Sequence, residues 1–119
     1  ETVGLLPDQV PPDGMGVWAP FFGQPAYTMT LAARLLRQTG AAVAVLWSER
    51  LPRGGGYVVH ALELPVPLPQ ADAAADDDAA ALADALAINR SMEAVIRLCP
   101  AQYLWGYQRY KMPRSGAAA

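Results

Sequence analysis

Few residues in this sequence have the chemistry of an active site, and Asp8 occupies the most informative position among them. It follows the apolar run Val3–Leu6, which predicts a short buried strand ending at Pro7. In open α/β sheets, ligand-binding groups gather beyond the carboxyl ends of the strands. The proline- and glycine-rich loop at residues 7–16 keeps the carboxylate outside regular structure. Asp8 is therefore a candidate site residue, although a capping role within the loop explains its position equally well.

A cluster of aromatic residues follows this loop. Trp18, Phe21 and Phe22 lie in the stretch VWAPFFG, where Gly16–Phe22 forms either a short strand or an extended loop. Aromatic side chains most often fill a core. They also wall apolar binding grooves, where they supply a large contact area. The residue types alone leave both roles open.

The single histidine, His60, lies in a predicted strand. Alternation along this strand places His60 with Val58, Leu62 and Leu64, whereas Glu63 points to the opposite face. A catalytic dyad of His60 and Glu63 therefore has poor geometry. A partly buried structural histidine is the favoured interpretation.

Two other motifs have structural explanations. Gly54–Gly56 joins one predicted strand to the next and lacks the lysine and hydroxyl residues of a phosphate loop, so it predicts a hairpin turn. Asp76–Asp78 precedes a helical pattern, where helix capping is favoured over metal binding. The sequence predicts neither a metal nor a cofactor, and it holds no self-sufficient catalytic constellation.

Composition narrows the class of protein. The chain has 119 residues, of which 53% are hydrophobic and 17% charged, and its net charge is −2. This predicts one small domain with no general attraction to nucleic acid. Its one cysteine, Cys99, excludes an internal disulfide and a cysteine-based zinc cluster. Acidic residues cluster in the middle of the sequence and basic residues near its end. They are Asp72, Asp76, Asp77, Asp78 and Asp84, and Arg109, Lys111 and Arg114.

The hydrophobic pattern predicts an α/β fold with the order strand, helix, strand, strand, helix. After the strand at Val3–Leu6, a helix is predicted from Pro25 to just before Gly40. Residues 41–50 and 57–64 are predicted to pair as an antiparallel hairpin. This order describes an α/β layer that lacks its other half.

A second helix is predicted to begin at Asp76–Asp78 and to end at Pro100. Glu93 and Arg97 form a favourable i,i+4 pair on it. Its apolar stripe consists of Ile88, Met92, Val95, Ile96 and Cys99. We assign residues 1–111 to the domain and residues 112–119 to a flexible tail. No apolar run approaches the roughly 20 residues of a membrane span, and the N-terminus is typical of a segment from inside a longer protein.

Three stretches together resemble one family. They are PDQVPPDGMGVWAPFFGQPAYTMT, GAAVAVLWSERLPRGGGYVVHALELP and INRSMEAVIRLCPAQYLWGYQRYK. In this order they are similar to the C-terminal half of the bacterial lipid A biosynthesis acyltransferases, the lauroyl/myristoyl transferase family. The resemblance covers residues 3–111 and implies the C-terminal part of a lysophospholipid-acyltransferase-like α/β domain.

The resemblance implies an activity as well. The family moves an acyl group from acyl carrier protein to a hydroxyl of a lipid A precursor, at the cytoplasmic face of the bacterial inner membrane and without a cofactor. Its general base is a histidine paired with an acidic residue in the N-terminal half. This sequence lacks that motif, and His60 does not match it. We therefore expect the chain to be inactive alone; the rival hypothesis is a noncatalytic α/β binding or assembly module.

The resemblance also implies roles for particular residues. Asp8 matches an acidic position at the rim of the active-site cleft, in a supporting role. The expected substrate contacts are Gln9, Trp18, Phe21, Phe22, Thr28, Arg50, Trp105, Arg109 and Lys111. The aromatic residues are expected to wall an acyl or lipid groove, and the basic residues to meet phosphates or the acidic carrier protein. The segment Gly106–Gln108 departs from the family, which usually has a histidine and two adjacent basic residues there. We also expect apolar surface where the other half would pack, and hence self-association.

Overall fold

The computed structural model describes residues 1–71 and 74–115. Within them the chain forms two small antiparallel sheets and two helices. The strands are β1 (Gly16–Phe21), β2 (Gln24–Met29), β3 (Val45–Arg50) and β4 (Tyr57–Leu62), and the helices are α1 (Leu31–Thr39) and α2 (Asp77–Leu98). Short 3₁₀ turns lie at Pro52–Gly54 and Pro100–Gln102. Asp72 and residues 116–119 of the predicted tail lie outside the described residues.

The first sheet is a tight hairpin made by β1 and β2. Gly16 pairs with Met29 at the open end and Phe21 pairs with Gln24 at the turn. Phe22 and Gly23 form the turn with φ of 48° and 77°, as two-residue hairpins require. Pro20 lies opposite Pro25, a pairing that is tolerated because neither residue has an N–H for the ladder.

The structure corrects two predictions about the N-terminal part of the chain. The helix begins at Leu31, not at Pro25, because Gln24–Met29 is the return strand of the hairpin. Gly40, predicted to follow the end of the helix, is confirmed there with a left-handed φ of 63°. The predicted strand Val3–Leu6 is wrong, since these residues form no regular structure and Val3 and Leu6 are 68% and 62% exposed. An apolar run becomes a strand only when a neighbour accepts its backbone hydrogen bonds, and no described strand lies beside it.

The second sheet matches the prediction more closely. β3 and β4 pair antiparallel, from Val45 opposite Leu62 to Arg50 opposite Tyr57. The glycine-rich connection forms the turn between them, as predicted. The observed order is strand, strand, helix, strand, strand, helix, so the chain has the mixed α/β character expected but not the predicted order. The described strands form no parallel pair.

Helix α2 is the element on which the first sheet packs. The Asp76 carboxylate accepts a 2.7 Å hydrogen bond from the Ala79 amide, which confirms the predicted N-cap. The core is small and consists of Phe21, Ala26 and Ile96. Phe22, Met92 and Tyr103 pack around this core. Glu93 and Arg97, predicted to pair with each other, instead both contact Phe22: the Glu93 carboxylate accepts its amide hydrogen bond and the Arg97 guanidinium lies 5.0 Å from its ring centre.

The two helices are joined by an ion pair that the sequence patterns did not indicate. Arg37 on α1 donates two hydrogen bonds to Asp84 on α2, with N–O distances of 2.7 and 2.6 Å. The hydrogen bonds that Arg37 donates to Asp84 raise the pKa of Arg37 above its ordinary value. Asp84 is buried, so the bidentate geometry supplies the compensation that a buried carboxylate needs.

Candidate functional site

The C-terminal segment, residues 103–111, returns across the first sheet. Pro100 ends α2 as predicted, and the 3₁₀ turn Pro100–Gln102 redirects the chain. The Tyr110 hydroxyl donates a 2.6 Å hydrogen bond to the Phe21 carbonyl. The Trp105 indole donates a 2.7 Å hydrogen bond to the Pro100 carbonyl. The segment is therefore fixed at both ends on a short helix–hairpin unit.

Arg109 connects this segment to β2 and α2 through buried hydrogen bonds. Its side chain is 3% exposed and donates to the Tyr27 carbonyl at 2.7 Å, to the Thr28 hydroxyl at 3.0 Å and to the Asn89 carbonyl oxygen at 3.3 Å. Burial lowers the pKa of Arg109 below its ordinary value. Its Nε is buried and has no hydrogen-bond partner. The guanidinium thus joins β2, α2 and the C-terminal segment, a positioning role; the predicted contact of Arg109 with substrate stays a prediction.

Asn89 completes the buried network and was not among the residues predicted from the sequence. Its amide donates to the Thr28 hydroxyl at 2.9 Å and to the Pro20 carbonyl at 3.1 Å. Thr28, which is completely buried, donates in turn to the Ala26 carbonyl at 3.0 Å. A sequence signal existed, because the spacing of four and three residues from Ala85 to Asn89 to Met92 places the asparagine on the apolar stripe of α2. A polar residue on such a stripe requires a buried partner.

The Asp8 side chain is held by Tyr103. The Tyr103 hydroxyl donates a 2.9 Å hydrogen bond to the Asp8 carboxylate. Burial, followed by this hydrogen bond and the Asp8 charge, raises the pKa of Tyr103 well above its usual range, so the phenol is neutral at physiological pH. Asp8 is half-buried and does not follow a strand, which removes the sheet-edge argument for its role. Asp8 is therefore a carboxylate that accepts a hydrogen bond from the neutral Tyr103, a residue that lines a groove.

That groove, hereafter the aromatic groove, has a volume of about 420 Å³. Tyr103, at its wall, links it to Asp8. The Lys111 ammonium lies 5.0 Å from the Tyr107 ring centre. Because Arg109 is buried, Lys111 is the exposed cation among the residues that line the groove. The lining residues are Phe21, Tyr103, Trp105, Gly106, Tyr107, Gln108, Arg109, Tyr110 and Lys111.

The structure brings together part of the predicted substrate-binding set. Phe21, Trp105, Arg109 and Lys111 line the aromatic groove, and the Phe22 ring contacts Trp105 at a centroid distance of 5.9 Å. Residues 106–108, where the chain departs from the family pattern, also line it. A ligand in the groove therefore meets both the family-like and the divergent positions.

Other predicted site residues lie elsewhere. Trp18 packs on Tyr27 at a centroid distance of 5.3 Å and does not line the groove. Gln9 is exposed. Arg50 is exposed at the end of β3, where the Gln102 side chain bonds both its backbone N–H and its carbonyl, at 2.7 and 3.0 Å. Thr28 is enclosed in the Arg109 network. Substrate contacts by these residues stay predictions.

His60 lies on the second sheet, where it pairs with a carboxylate other than the one considered from the sequence. Its Nε2 lies 2.9 Å from a Glu49 carboxylate oxygen, and its ring stacks on Trp47 at a centroid distance of 4.4 Å. Cross-strand register produces this contact, because Trp47 is directly opposite His60. His60 does not line the aromatic groove. Among the described residues, no three His, Cys, Asp or Glu side chains converge as a metal site would require.

The chain is thus a mixed α/β domain in which the aromatic groove lies next to the Asp8 carboxylate, which accepts a hydrogen bond from Tyr103. The profile of the family described as bacterial lipid A biosynthesis acyltransferase matches residues 1–112. The chain therefore belongs to this family, and the resemblance seen in its sequence is confirmed. No match to the chain was found among curated proteins. Within residues 1–71 and 74–115, no helix combines the length and apolar character needed to cross a bilayer.

Proposed function

We propose that the chain is the C-terminal part of an acyltransferase that moves a fatty acyl chain from an acyl carrier protein thioester to a hydroxyl of a lipid A precursor. The family match over residues 1–112 carries this proposal. The aromatic groove supports it, because an amphiphilic acceptor needs an apolar wall beside a few polar groups. The proposed setting is the cytoplasmic face of the bacterial inner membrane.

The reaction assigns different tasks to the groups in the groove. A base takes the proton of the acceptor hydroxyl, and the acceptor oxygen attacks the thioester carbonyl. The new ester bond forms, the carbon–sulfur bond breaks, and the released thiolate takes up a proton. In our proposal Asp8, fixed by Tyr103, orients the acceptor hydroxyl or the base. Trp105 and Phe22 wall the apolar part of the substrate, and Lys111 meets a phosphate.

The base itself is proposed to lie outside this chain. The resemblance assigns this task to a histidine–acid motif that the 119 residues do not contain. His60, the only histidine, is paired with Glu49 on the second sheet and is not part of the groove. The chain alone is therefore proposed to bind without catalysing transfer.

Two assays test this proposal. The chain alone and the full-length gene product that contains it are each incubated with acyl carrier protein thioester and lipid A precursor, and ester formation is measured. We expect turnover by the full-length product only. Turnover by the chain alone would contradict the assignment of the base. Inactivity of both would favour a noncatalytic binding or assembly module.

The role of Asp8 is tested in the same full-length product. Replacing the carboxylate with an amide keeps the shape and removes the charge, so Asp8→Asn is expected to lower kcat/KM by roughly tenfold to a thousandfold. The matched control is Asp13→Asn, an exposed aspartate in the same loop, which is expected to retain activity. Wild-type activity in Asp8→Asn would reduce Asp8 to a structural residue.

A further inference from the structure

The outer side of the C-terminal segment exposes large apolar side chains. Leu104 and Met112 are each 73% exposed, Trp105 is 56% exposed and Tyr110 is 41% exposed. Singly exposed apolar residues are common on protein surfaces, but four within nine consecutive residues are not. Trp105 and Tyr110 line the same groove, so their exposed parts belong to one surface.

Exposed cations border these side chains. Lys111 lines the same groove as Trp105 and Tyr110. Arg97 joins them through Phe22, because the Phe22 ring contacts both the Arg97 guanidinium and the Trp105 ring. We call the surface formed by Trp105, Tyr110, Arg97 and Lys111, together with Leu104 and Met112, which flank Trp105 and Lys111 in the sequence, the aromatic–basic patch.

Two carboxylates near the patch have donors inside the protein. Glu93 accepts a 2.8 Å hydrogen bond from the Phe22 amide, and Asp8 accepts from Tyr103. The exposed acidic residues Asp76, Asp77 and Asp78 lie at the opposite end of α2. With 22 residues, this helix is about 33 Å long. The charge of α2 is thus polarised, with acidic residues in its first turn and Arg97 in its last turn, at the patch.

We propose that the aromatic–basic patch docks the chain on an anionic lipid surface. Trp105 and Tyr110 have the amphipathic character that favours the headgroup region of a bilayer. Arg97 and Lys111 would meet the lipid phosphates, while Leu104 and Met112 offer apolar area for the acyl boundary. Two copies joined at this patch would instead bring like charges together. An acidic protein would match the cations but would not need the exposed leucine and methionine.

Flotation with vesicles tests this proposal directly. The 119-residue chain is mixed with vesicles of phosphatidylcholine and phosphatidylglycerol, or of phosphatidylcholine alone, and the bound fraction is measured. We expect binding to the anionic vesicles that weakens as salt is added. Absence of binding, or equal binding to both vesicle types, would overturn the proposal. Since the measurement needs neither acyl donor nor acceptor, its failure is separate from failure of the proposed acyl transfer.

Matched variants locate the contact. The double variant R97Q/K111Q is expected to bind anionic vesicles roughly thirtyfold more weakly, since each cation contributes about a factor of five. The double variant R34Q/R53Q removes the same charge at exposed positions outside the patch and is expected to bind nearly as the wild type does. Equal losses of vesicle binding in the two double variants would show that net charge alone decides binding, and would overturn the proposal that the patch is the contact surface.

The apolar contribution has its own pair of variants. Leu104→Ser is expected to weaken vesicle binding about tenfold, which corresponds to burial of one leucine side chain. Leu82→Ser, at an exposed leucine of α2, serves as the control and is expected to bind normally. Circular dichroism confirms that each variant is folded. Sedimentation without lipid and binding to acyl carrier protein are measured in parallel. If the patch variants lose only self-association or carrier-protein binding, the lipid proposal is wrong.

Discussion

Tyr103 donates a 2.9 Å hydrogen bond to Asp8, a residue 95 positions earlier in the chain. The Tyr107 hydroxyl accepts a 2.8 Å hydrogen bond from the Val10 amide, and the Arg114 carbonyl accepts one from the Asp13 amide at 2.9 Å. These contacts lay the N-terminal loop along the C-terminal segment. The position of the Asp8 carboxylate therefore depends on the far end of the sequence.

The first prediction concerns the pH dependence of stability. The pKa of Tyr103 is raised above its ordinary value of 10.0 by burial and by Asp8. Above about pH 10 the unfolded chain loses this proton while the folded chain keeps it, so the free energy of unfolding falls as pH rises. Denaturant unfolding of the wild type and of Tyr103→Phe, from pH 8 upward, measures this effect. We expect the decline to be shallower in the variant; equal slopes would show that Tyr103 does not contribute.

The second prediction concerns the buried network around Arg109. Asn89→Ala leaves the Arg109 guanidinium and the Thr28 hydroxyl short of a partner, so it should lower the free energy of unfolding by about 2–4 kcal/mol. The neighbouring Arg90→Ala, at an exposed position of the same helix, should change it by less than about 0.5 kcal/mol. Chemical denaturation of both variants gives the comparison. Similar small losses would mean that water replaces the asparagine in the network.

These contacts also show what sequence reasoning can and cannot reach. The Asp76 cap, the hairpin that closes through residues 54–56 and the end of α2 at Pro100 follow from local signals, and all were predicted. The return strand at Gln24–Met29 was missed because Pro25 also suits the first turn of a helix. The turn before it relies on Phe22 at a positive φ, a conformation that a bulky side chain rarely adopts.

The candidate site was predictable only in part, for a similar reason. The family resemblance marked Asp8, Trp105 and Lys111 as candidates, but it did not give their arrangement. Arg109 was expected to contact substrate, and its buried network was not predicted because its partners, the Tyr27 carbonyl and Asn89, are remote in the sequence. Asp8 was placed near a site for a wrong reason, since no strand precedes it. Periodicity can mark a buried polar residue such as Asn89, but it does not identify the distant residues that become its partners.

The third prediction concerns self-association through the second sheet. β3 and β4 form a two-stranded sheet, and Leu46, Tyr57 and Val59 on it are 64–67% exposed. An exposed apolar strand face favours contact with a second chain. Sedimentation at increasing concentration should show self-association of the wild type. The variant Leu46→Lys should shift the balance to monomer, whereas Leu82→Lys, at an exposed leucine of α2, should not. If the wild type stays strictly monomeric at high concentration, this prediction is wrong.

The fourth prediction concerns the glycine at the start of β1. A Cβ added at Gly16 would lie 2.5 Å from the Thr28 carbonyl oxygen and 2.8 Å from Pro11 Cγ. The backbone oxygen cannot move aside without disturbing Thr28, whose hydroxyl belongs to the Arg109 network. The Gly16 amide is itself held by the Tyr27 hydroxyl at 3.2 Å. Gly16→Ala should therefore strain the same hairpin that carries the network.

We expect Gly16→Ala to lower the free energy of unfolding by about 1–3 kcal/mol, the usual cost of forcing an extra methyl group into a packed site. Gly4→Ala is the matched control, because a Cβ there meets nothing within 4 Å, and the loss of backbone freedom in the unfolded chain should leave it neutral or slightly stabilised. Both are measured by denaturant unfolding under the same conditions.

The double variant Gly16→Ala/Asn89→Ala provides a second test. If the added methyl group acts by displacing Thr28 from the network, the double variant should lose less free energy of unfolding than the sum of the losses in the two single variants. Full additivity would instead confine the effect of Gly16→Ala to the contact with Pro11.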